Sequence, residues 1–480
     1  LECFEKEWFE KPHMPAATVA RYYDYSDHSV ENLTRMVGPH LDECLDGTER
    51  EVMIGENRTQ QVDDGDELSK LFIRHKRGDV ATEEWTLKGR YVYPDKRTQQ
   101  SQAPMGDALW HAYLRSYRPE AMMFDEVFYE ECGVQDQERF LDKGVKTLRN
   151  IADRMDPDWP ITYAEMFMKG QAVTKPGTIG REAKKGQLII SFCTQLNIIF
   201  GALSRYMARA IRESHGSHMF TVNENTDVEM SEFVRQHWDF GRASSEDDYT
   251  SFDSTQGPEF QVFDAKLMAY HGVPAHMIEF YMWFIRSITT FLGLLGAMLA
   301  SGIKFTLGYN TERSRGYQAL KYDIPYGTAM ASTGDDVALN AVLRESDAWA
   351  SIGKLFRLVS KRGVSTYPTF CGWVFNPVVC YKDPVLLMHR TVYQTARGNL
   401  PKIIFNYMAD ITPAQHHLEL LAPYMTVEQV EAHCITEGML YEASRDYGMT
   451  GFGTFVTSFG AKRAYDLNGG HSIKPTQPTS

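Results

Sequence analysis

Two acidic clusters have the residue types and spacing to do chemistry. The first is Asp247-Asp248-Tyr249-Thr250-Ser251-Phe252-Asp253, whose alternating polar and apolar residues read as a strand running out into a turn. Asp248 and Asp253 stand five positions apart, so the turn can carry both toward one cleft. Crowded carboxylates repel; the segment is either a solvated acidic loop or a place where a cation offsets the charge. The second is Gly334-Asp335-Asp336, flanked by Met330-Ala331-Ser332-Thr333 and Val337-Ala338-Leu339. Small and apolar flanks around a glycine tip predict a hairpin, with Gly334 able to take the positive φ of a tight turn. Hard oxygen donors suit Mg²⁺, which keeps waters and completes its shell with phosphates. Two strand-borne clusters brought together would form a two-ion site for in-line displacement at phosphorus.

Two further segments could serve such a site. Ser301-Gly302-Ile303-Lys304-Phe305-Thr306-Leu307-Gly308-Tyr309-Asn310-Thr311 has a flexible Ser-Gly start. Thr306 and Asn310 follow on one helical i, i+4 face and would enter the same groove. The alternative is an ordinary helix start with a Ser cap. Residues 169–187 hold Lys169, Lys175, Arg181, Lys184 and Lys185 against the single acid Glu182. Gly and Pro hold this stretch out as a loop, suited to a triphosphate or a nucleic-acid backbone, or simply solvated.

The elements that must position these groups are partly legible. Leu188–Arg212 reads as an amphipathic helix with Ile189, Phe192, Cys193, Leu196, Phe200 and Leu203 on one face. The apolar stretch Phe280–Phe305 is interrupted by Arg286 and Lys304 and predicts a buried helix plus loop, not a membrane span. Thr426-Val427-Glu428-Gln429 is a capping box opening one of several C-terminal helices. Residues 1–110 indicate mixed structure, and Asn468–Ser480 reads as disordered.

With 480 residues, 43% apolar and 24% charged, the chain is neither disordered nor fibrous, and it is long enough for a multi-lobed enzyme. A net charge of −13 argues against an indiscriminate phosphate-backbone binder. Seven scattered cysteines without a CxxC pair predict a reduced intracellular protein without a disulfide framework or zinc site. His215, His218, His416 and His417 lack the partners a zinc site needs. The chain opens on Leu1 with no cleavable leader pattern, so the expectation is a piece of a longer precursor.

A basic loop, then D-x4-D, then SG-x3-T-x3-NT, then GDD occur in the order of motifs F, A, B and C of viral RNA-dependent RNA polymerases, over roughly residues 160–390. Asp248 to Gln256 resembles motif A of the alphavirus-like plus-strand supergroup, in its tymovirus and flexivirus-like branch. Thr290-Phe291-Leu292-Gly293 is similar to the segment before motif B there. Phe370-Cys371-Gly372-Trp373 with Asp383-Pro384 resembles the motif E region. Ser301-Gly302-Ile303-Lys304 departs from the TGEG usual in tymoviruses and leaves the genus open.

The resemblance implies an α+β right-hand fold with fingers, a palm made of a small antiparallel sheet flanked by helices, and a helical thumb. Residues 1–160 would be an N-terminal fingers extension and 161–240 fingers with the basic loop. Residues 241–385 would be palm, with a fingers insertion at 257–298, and 386–480 thumb and tail. It implies template-directed RNA synthesis with two Mg²⁺ or Mn²⁺ ions held by Asp248, Asp335, Asp336 and the backbone carbonyl of Tyr249. Arg181, Lys184 and Lys185 would meet the triphosphate, and Lys169 and Lys175 would line its entry. Asp253, Ser301, Thr306 and Asn310 would sense the ribose. Either Lys354 or Lys361 would be the general acid for pyrophosphate. Expected partners are RNA template and product duplex, nucleoside triphosphates, and methyltransferase and helicase domains of the same polyprotein. The expected location is membrane-associated replication complexes in the host cytoplasm. A reverse transcriptase-like polymerase and a non-catalytic RNA-binding relic are the rival readings; the first normally carries an aromatic where Ser332-Thr333-Gly334 precedes Asp335, and the second would be expected to lose a metal carboxylate.

Overall fold

A computed structural model describes residues 103–141, 161–175, 186–222, 226–250, 252–290 and 301–445, with strands β1 (Thr48–Ile54) and β2 (Asn57–Asp63) and a few isolated positions. These residues fall in two compact units. The larger takes those up to Val62, 75–171 and 184–371; the smaller takes those of 63–74, 172–183 and from 372 onward.

In the larger unit, helices α1 (Ala103–Tyr117) and α2 (Glu126–Leu141) are followed by strands β3 (Glu165–Met168) and β4 (Leu188–Ser191). Helix α3 (Thr194–Ser214), strand β5 (Met219–Phe220), helix α4 (Asp227–His237) and strand β6 (Ser244–Tyr249) come next. The short turn α5 (Phe252–Thr255) leads to α6 (Pro258–Tyr270) and α7 (Ala275–Ser287). Strands β7 (Thr289–Thr290) and β8 (Gly293–Leu294) precede helix α8 (Thr306–Lys321). The hairpin β9 (Met330–Thr333) and β10 (Asp336–Leu339), helix α9 (Asp347–Ile352) and strand β11 (Ser360–Ser365) complete it.

Five strands form one sheet in the order β11-β6-β10-β9-β5. All its pairs are antiparallel except β5 with β9. The predicted helix over Leu188–Arg212 needs correction. Leu188–Ser191 is a strand with alternating burial, paired to β3, and the helix starts only at Thr194. A run of apolar residues with period 2 at its front end satisfies both patterns, and pairing with β3 decides it. From Leu196 on, the helix buries Phe200, Leu203, Tyr206, Met207, Ala210 and Ile211 as its spacing requires. They join Phe260, Phe263, Leu267, Tyr281 and Phe284 in one core.

The stretch after Phe280 is the rest of α7 followed by two short strands, and among the described residues no helix is long and apolar enough to cross a membrane. In the smaller unit, strands β12 (Trp373–Val374) and β13 (Tyr381–Lys382) pair. Helices α10 (Pro384–Ala396), α11 (Leu400–His416) and α12 (Val427–Arg445) pack around Leu387, Leu400, Ile404, Met408, Ile411 and Leu440. The capping box at α12 is present: Gln429 N donates to Thr426 Oγ1 at 3.2 Å, and Thr426 N to Gln429 Oε1 at 3.0 Å. Asn468–Ser480 lies outside the described residues, as does most of 1–102 apart from β1, β2 and isolated positions.

Candidate active site

Strand β6 alternates as its sequence demands: Asp247 is buried, Asp248 exposed and Tyr249 buried. In the neighbouring hairpin Gly334 has φ 62°, the left-handed conformation a two-residue turn needs. The β6–β10 register pairs Val337 with Asp247, so one step further along it Asp336 falls opposite Asp248. On the other edge of β6, Lys361 of β11 is directly opposite Asp248. Residues directly opposite in an antiparallel pair share a face. Asp336, Asp248 and Lys361 therefore form one row, all exposed, with Asp335 exposed at the turn beside it. Lys354 is exposed on a short 3-10 turn (Gly353–Leu355), off the sheet.

Helix α8 supports this rim from behind. Every residue from Tyr309 to Lys321 is buried, although the segment reads Asn-Thr-Glu-Arg-Ser-Arg. Buried polar groups must be hydrogen-bonded, and α8 uses that need to build contacts. The hydroxyl of Thr311 accepts from Gly334 N at 2.8 Å and donates to Leu307 O at 2.8 Å, tying the hairpin turn to the helix. Arg315 donates to Ser332 Oγ at 2.7 Å and to Glu312 at 2.5 Å. Glu312 also accepts from Tyr113 at 2.5 Å. The Tyr249 hydroxyl meets Ser314 Oγ at 2.9 Å and accepts from Gln318 at 2.7 Å, anchoring the end of β6.

A second chain of contacts leads from Asp253, at the first turn after β6. Asn310 Nδ2 donates to Asp253 Oδ1 at 2.8 Å, and Gln256 Nε2 donates to Asn310 Oδ1 at 3.0 Å. Gln256 Oε1 accepts from Arg313, which is clamped on Asp264; Tyr281 donates to the same carboxylate at 2.7 Å. Of the four residues expected around a sugar, Asp253 and Asn310 are joined. Thr306 sits one turn before Asn310 on the same face. Ser301 instead donates to Leu188 O at 2.9 Å, fastening its loop to β4. The helix begins at Thr306 with no side-chain cap, so Ser301 does not cap it. Gly302, at φ 110°, lies where a Cβ would meet Ile190 O at 1.9 Å, so only glycine allows the loop to approach β4.

Burial raises the carboxyl of Asp247, with Lys321, Ser360, Arg362 and Gln318 opposing. The side chain faces the opposite side of the sheet from Asp248. The stems of the basic loop are joined by Lys169 N donating to Gln187 O at 2.7 Å, and Lys169 Nζ reaches Gln187 Oε1 at 3.3 Å. Lys175 is exposed; Arg181, Lys184 and Lys185 lie outside the described residues. His215 is drawn into the α8 network, 2.8 Å from the Tyr113 hydroxyl.

The sequence reading missed Gln256, Asp264, Arg313, Arg315 and Glu312 as parts of the site's support. A helix with no apolar stripe and two arginines in its middle was the available signal.

Among the described residues no three His, Cys, Asp or Glu side chains converge into a metal cage. The donor set still fits a hard cation: exposed carboxylates on a shared rim, which Mg²⁺ would complete with waters and substrate phosphates.

The chain is similar to known proteins over most of its length. A family described as RNA dependent RNA polymerase matches residues 123–396. The RNA replication protein of Botrytis virus F is 30% identical over 81% of this chain and 20% of that protein. That of Potato virus X is 29% identical over 87% and 30%. The chain thus spans about a fifth to a third of the length of the curated relatives it matches. The polymerase of a human picorbirnavirus, an insertion-loop deletion mutant, aligns at 12% identity and a TM-score of 0.45 over 81% of this chain and 80% of that one. The chain belongs to the RNA-dependent RNA polymerase family, in its alphavirus-like branch.

Proposed function

We propose that this chain is the polymerase segment of a longer viral replication protein and elongates RNA by template-directed nucleotidyl transfer. The observation that carries the reading is the row Asp336, Asp248, Lys361 across three strands, with the Asp253–Asn310 pair at the end of the middle strand. In the reaction a primer 3′-oxygen bonds to the α-phosphorus of a nucleoside triphosphate and the bond to pyrophosphate breaks. Asp248, Asp335, Asp336 and the Tyr249 carbonyl would hold two divalent cations, Mg²⁺ or Mn²⁺. Those ions supply charge neutralisation at the attacking and leaving oxygens. Lys361 is the better placed of the two lysines to give a proton to pyrophosphate, because its register partner is Asp248. Arg181, Lys184 and Lys185 would receive the triphosphate, with Lys169 and Lys175 at its entry. Asp253 and Asn310 would read the 2′-hydroxyl, with Thr306 and Ser301 shaping the loop around it.

The right-hand reading assigns residues 161–240 and the insertion at 257–298 to fingers, 241–385 to palm and 386–480 to thumb, with 1–160 as a fingers extension. Beside this segment the longer protein would carry methyltransferase and helicase domains and act on RNA template and duplex in membrane-associated complexes of the host cytoplasm.

Extension of a primed RNA template, with ribonucleotides and with 2′-deoxynucleotides in the presence of Mg²⁺, tests the reading. Ribonucleotide-dependent extension that Asp335→Ala abolishes is expected. Equal use of the two sugars by the wild-type chain overturns the assignment.

A further inference from the structure

We infer that Gln256 is a positioning residue for sugar selection: its amide relays the polarity of the buried Arg313–Asp264 pair to Asn310 and fixes which way the Asn310 amide points. The inference rests on the reading of Asp253 and Asn310 as the ribose sensors. It goes beyond that reading because Gln256 itself is held back from the site, 4% exposed and bonded only along the chain of contacts.

The polarity follows from donor and acceptor inventories alone. Arg313 has only donors, so Gln256 must turn its oxygen to Arg313. Its nitrogen then faces Asn310, which must answer with its oxygen. Asn310 is left with its nitrogen toward Asp253, whose Oδ1 accepts from it. A flip of either amide would oppose like groups at both of its contacts, so the chain has one consistent direction. Its far end is fully buried and multiply bonded: Arg313 and Asp264 are both 0% exposed, and Tyr281 donates to the same carboxylate. Of the two N–H bonds on Asn310 Nδ2, one goes to Asp253. The other is oriented by the relay and is the group that can donate to a 2′-oxygen. The device thus prepays, before nucleotide arrives, the ordering of an amide that would otherwise sample two orientations.

The test is the ratio of kcat/KM for a ribonucleotide to that for its 2′-deoxy analogue at one template position. That ratio counts only active molecules and is indifferent to the fraction that folds. Gln256→Glu keeps the shape and the Arg313 contact but cannot donate to Asn310 while ionised; Gln256→Met keeps the volume and removes both polar ends. Both variants are expected to narrow the ratio about tenfold, the effect of one lost hydrogen bond, through the ribonucleotide efficiency. Asn310→Ala is measured alongside. If it narrows the ratio while both Gln256 variants leave it intact, the relay is overturned and the ribose reading stands. An equal loss with both sugars in the Gln256 variants makes the residue a mere scaffold and overturns the relay as well. If Asn310→Ala leaves the ratio unchanged, the ribose reading itself falls, and the relay with it.

Discussion

At the rim of the central sheet Asp248, Asp335 and Asp336 stand exposed, whereas on helix α8 the residues from Tyr309 to Lys321 are buried although most are polar. The same chemical types meet opposite fates a few ångströms of backbone apart. Burying an unpaired charge costs several kcal/mol, so α8 can hold Arg313 and Arg315 only because Asp264 and Glu312 answer them. The rim acids face solvent, so their charges do not carry that burial cost. The difference teaches which polar groups burial obliges to pair. On α8 each charge is buried with its counter-charge, whereas the rim carboxylates face solvent.

The largest expected effect breaks the buried side. Arg313→Met leaves the Asp264 carboxylate buried against Tyr281 alone, and should cost about 3–5 kcal/mol in denaturant unfolding. The pair variant Arg313→Met with Asp264→Leu should recover most of that, because both charges are then gone. A single variant that lost less than about 1 kcal/mol would show that α8 is not anchored by its ion pairs. The rim should respond in the reverse sense. Asp248→Asn is expected to reduce nucleotide incorporation at least about a hundredfold. Its stability should stay within about 0.5 kcal/mol of wild type, or rise slightly as repulsion with Asp336 is relieved. A clear loss of stability with activity retained would move Asp248 to the structural class.

The rim was legible in the sequence and its support was not, for a physical reason. Asp248, Gly334, Asp335 and Asp336 are marked by local pattern: alternation along a strand and a glycine at a turn. Gly334 does take a positive φ, and Asp248 does point outward. The partners of α8 are set by tertiary contact. Asp264 and Tyr281 lie 49 and 32 residues before Arg313, and no local spacing announces them. Ser301 shows the same limit, since a residue read as facing a sugar is bonded to the backbone of β4, more than a hundred positions earlier. The placement of Lys361 opposite Asp248, with Lys354 off the sheet, also comes only from the β11–β6 register. For Leu188–Ser191 the local pattern was ambiguous and the pairing with β3 decided it.

Thr311 joins the two regions and sharpens the contrast. Its hydroxyl is the acceptor for the amide of Gly334. Thr311→Val removes that acceptor without changing the side chain's shape, leaving a buried N–H unsatisfied at a cost of about 1–3 kcal/mol. Because that N–H lies in the turn that carries Asp335, part of the cost should appear as a lower kcat at saturating nucleotide. Thr311→Ser restores the hydroxyl and should restore the rate. If valine and serine variants were equally active, the turn would hold its geometry without the helix, and the two regions would be independent.

The smallest effect separates them by pH. Burial alone would raise the carboxyl of Glu312, but the Arg315 guanidinium and the donors on His215 and Tyr113 outweigh it and hold it down to about 2. Burial lowers the pKa of His215 as well, and the Arg315 charge is the largest of the influences holding Glu312 down. As pH falls below about 4.5 the unfolded chain protonates this residue before the folded one does. The contribution to stability is therefore complete above that pH and is lost as pH drops toward 2. Over the first unit below 4.5 the loss from this one group is about 1 kcal/mol. In Glu312→Gln, stability at neutral pH should fall, because Arg315 loses its charged partner, while the acid limb between pH 4.5 and 3.5 flattens by that amount. Chemical unfolding of the two proteins across this range reads the difference in slope directly. Identical slopes would mean that the folded and unfolded chains protonate Glu312 at the same pH, and that Arg315 does not hold its carboxyl down.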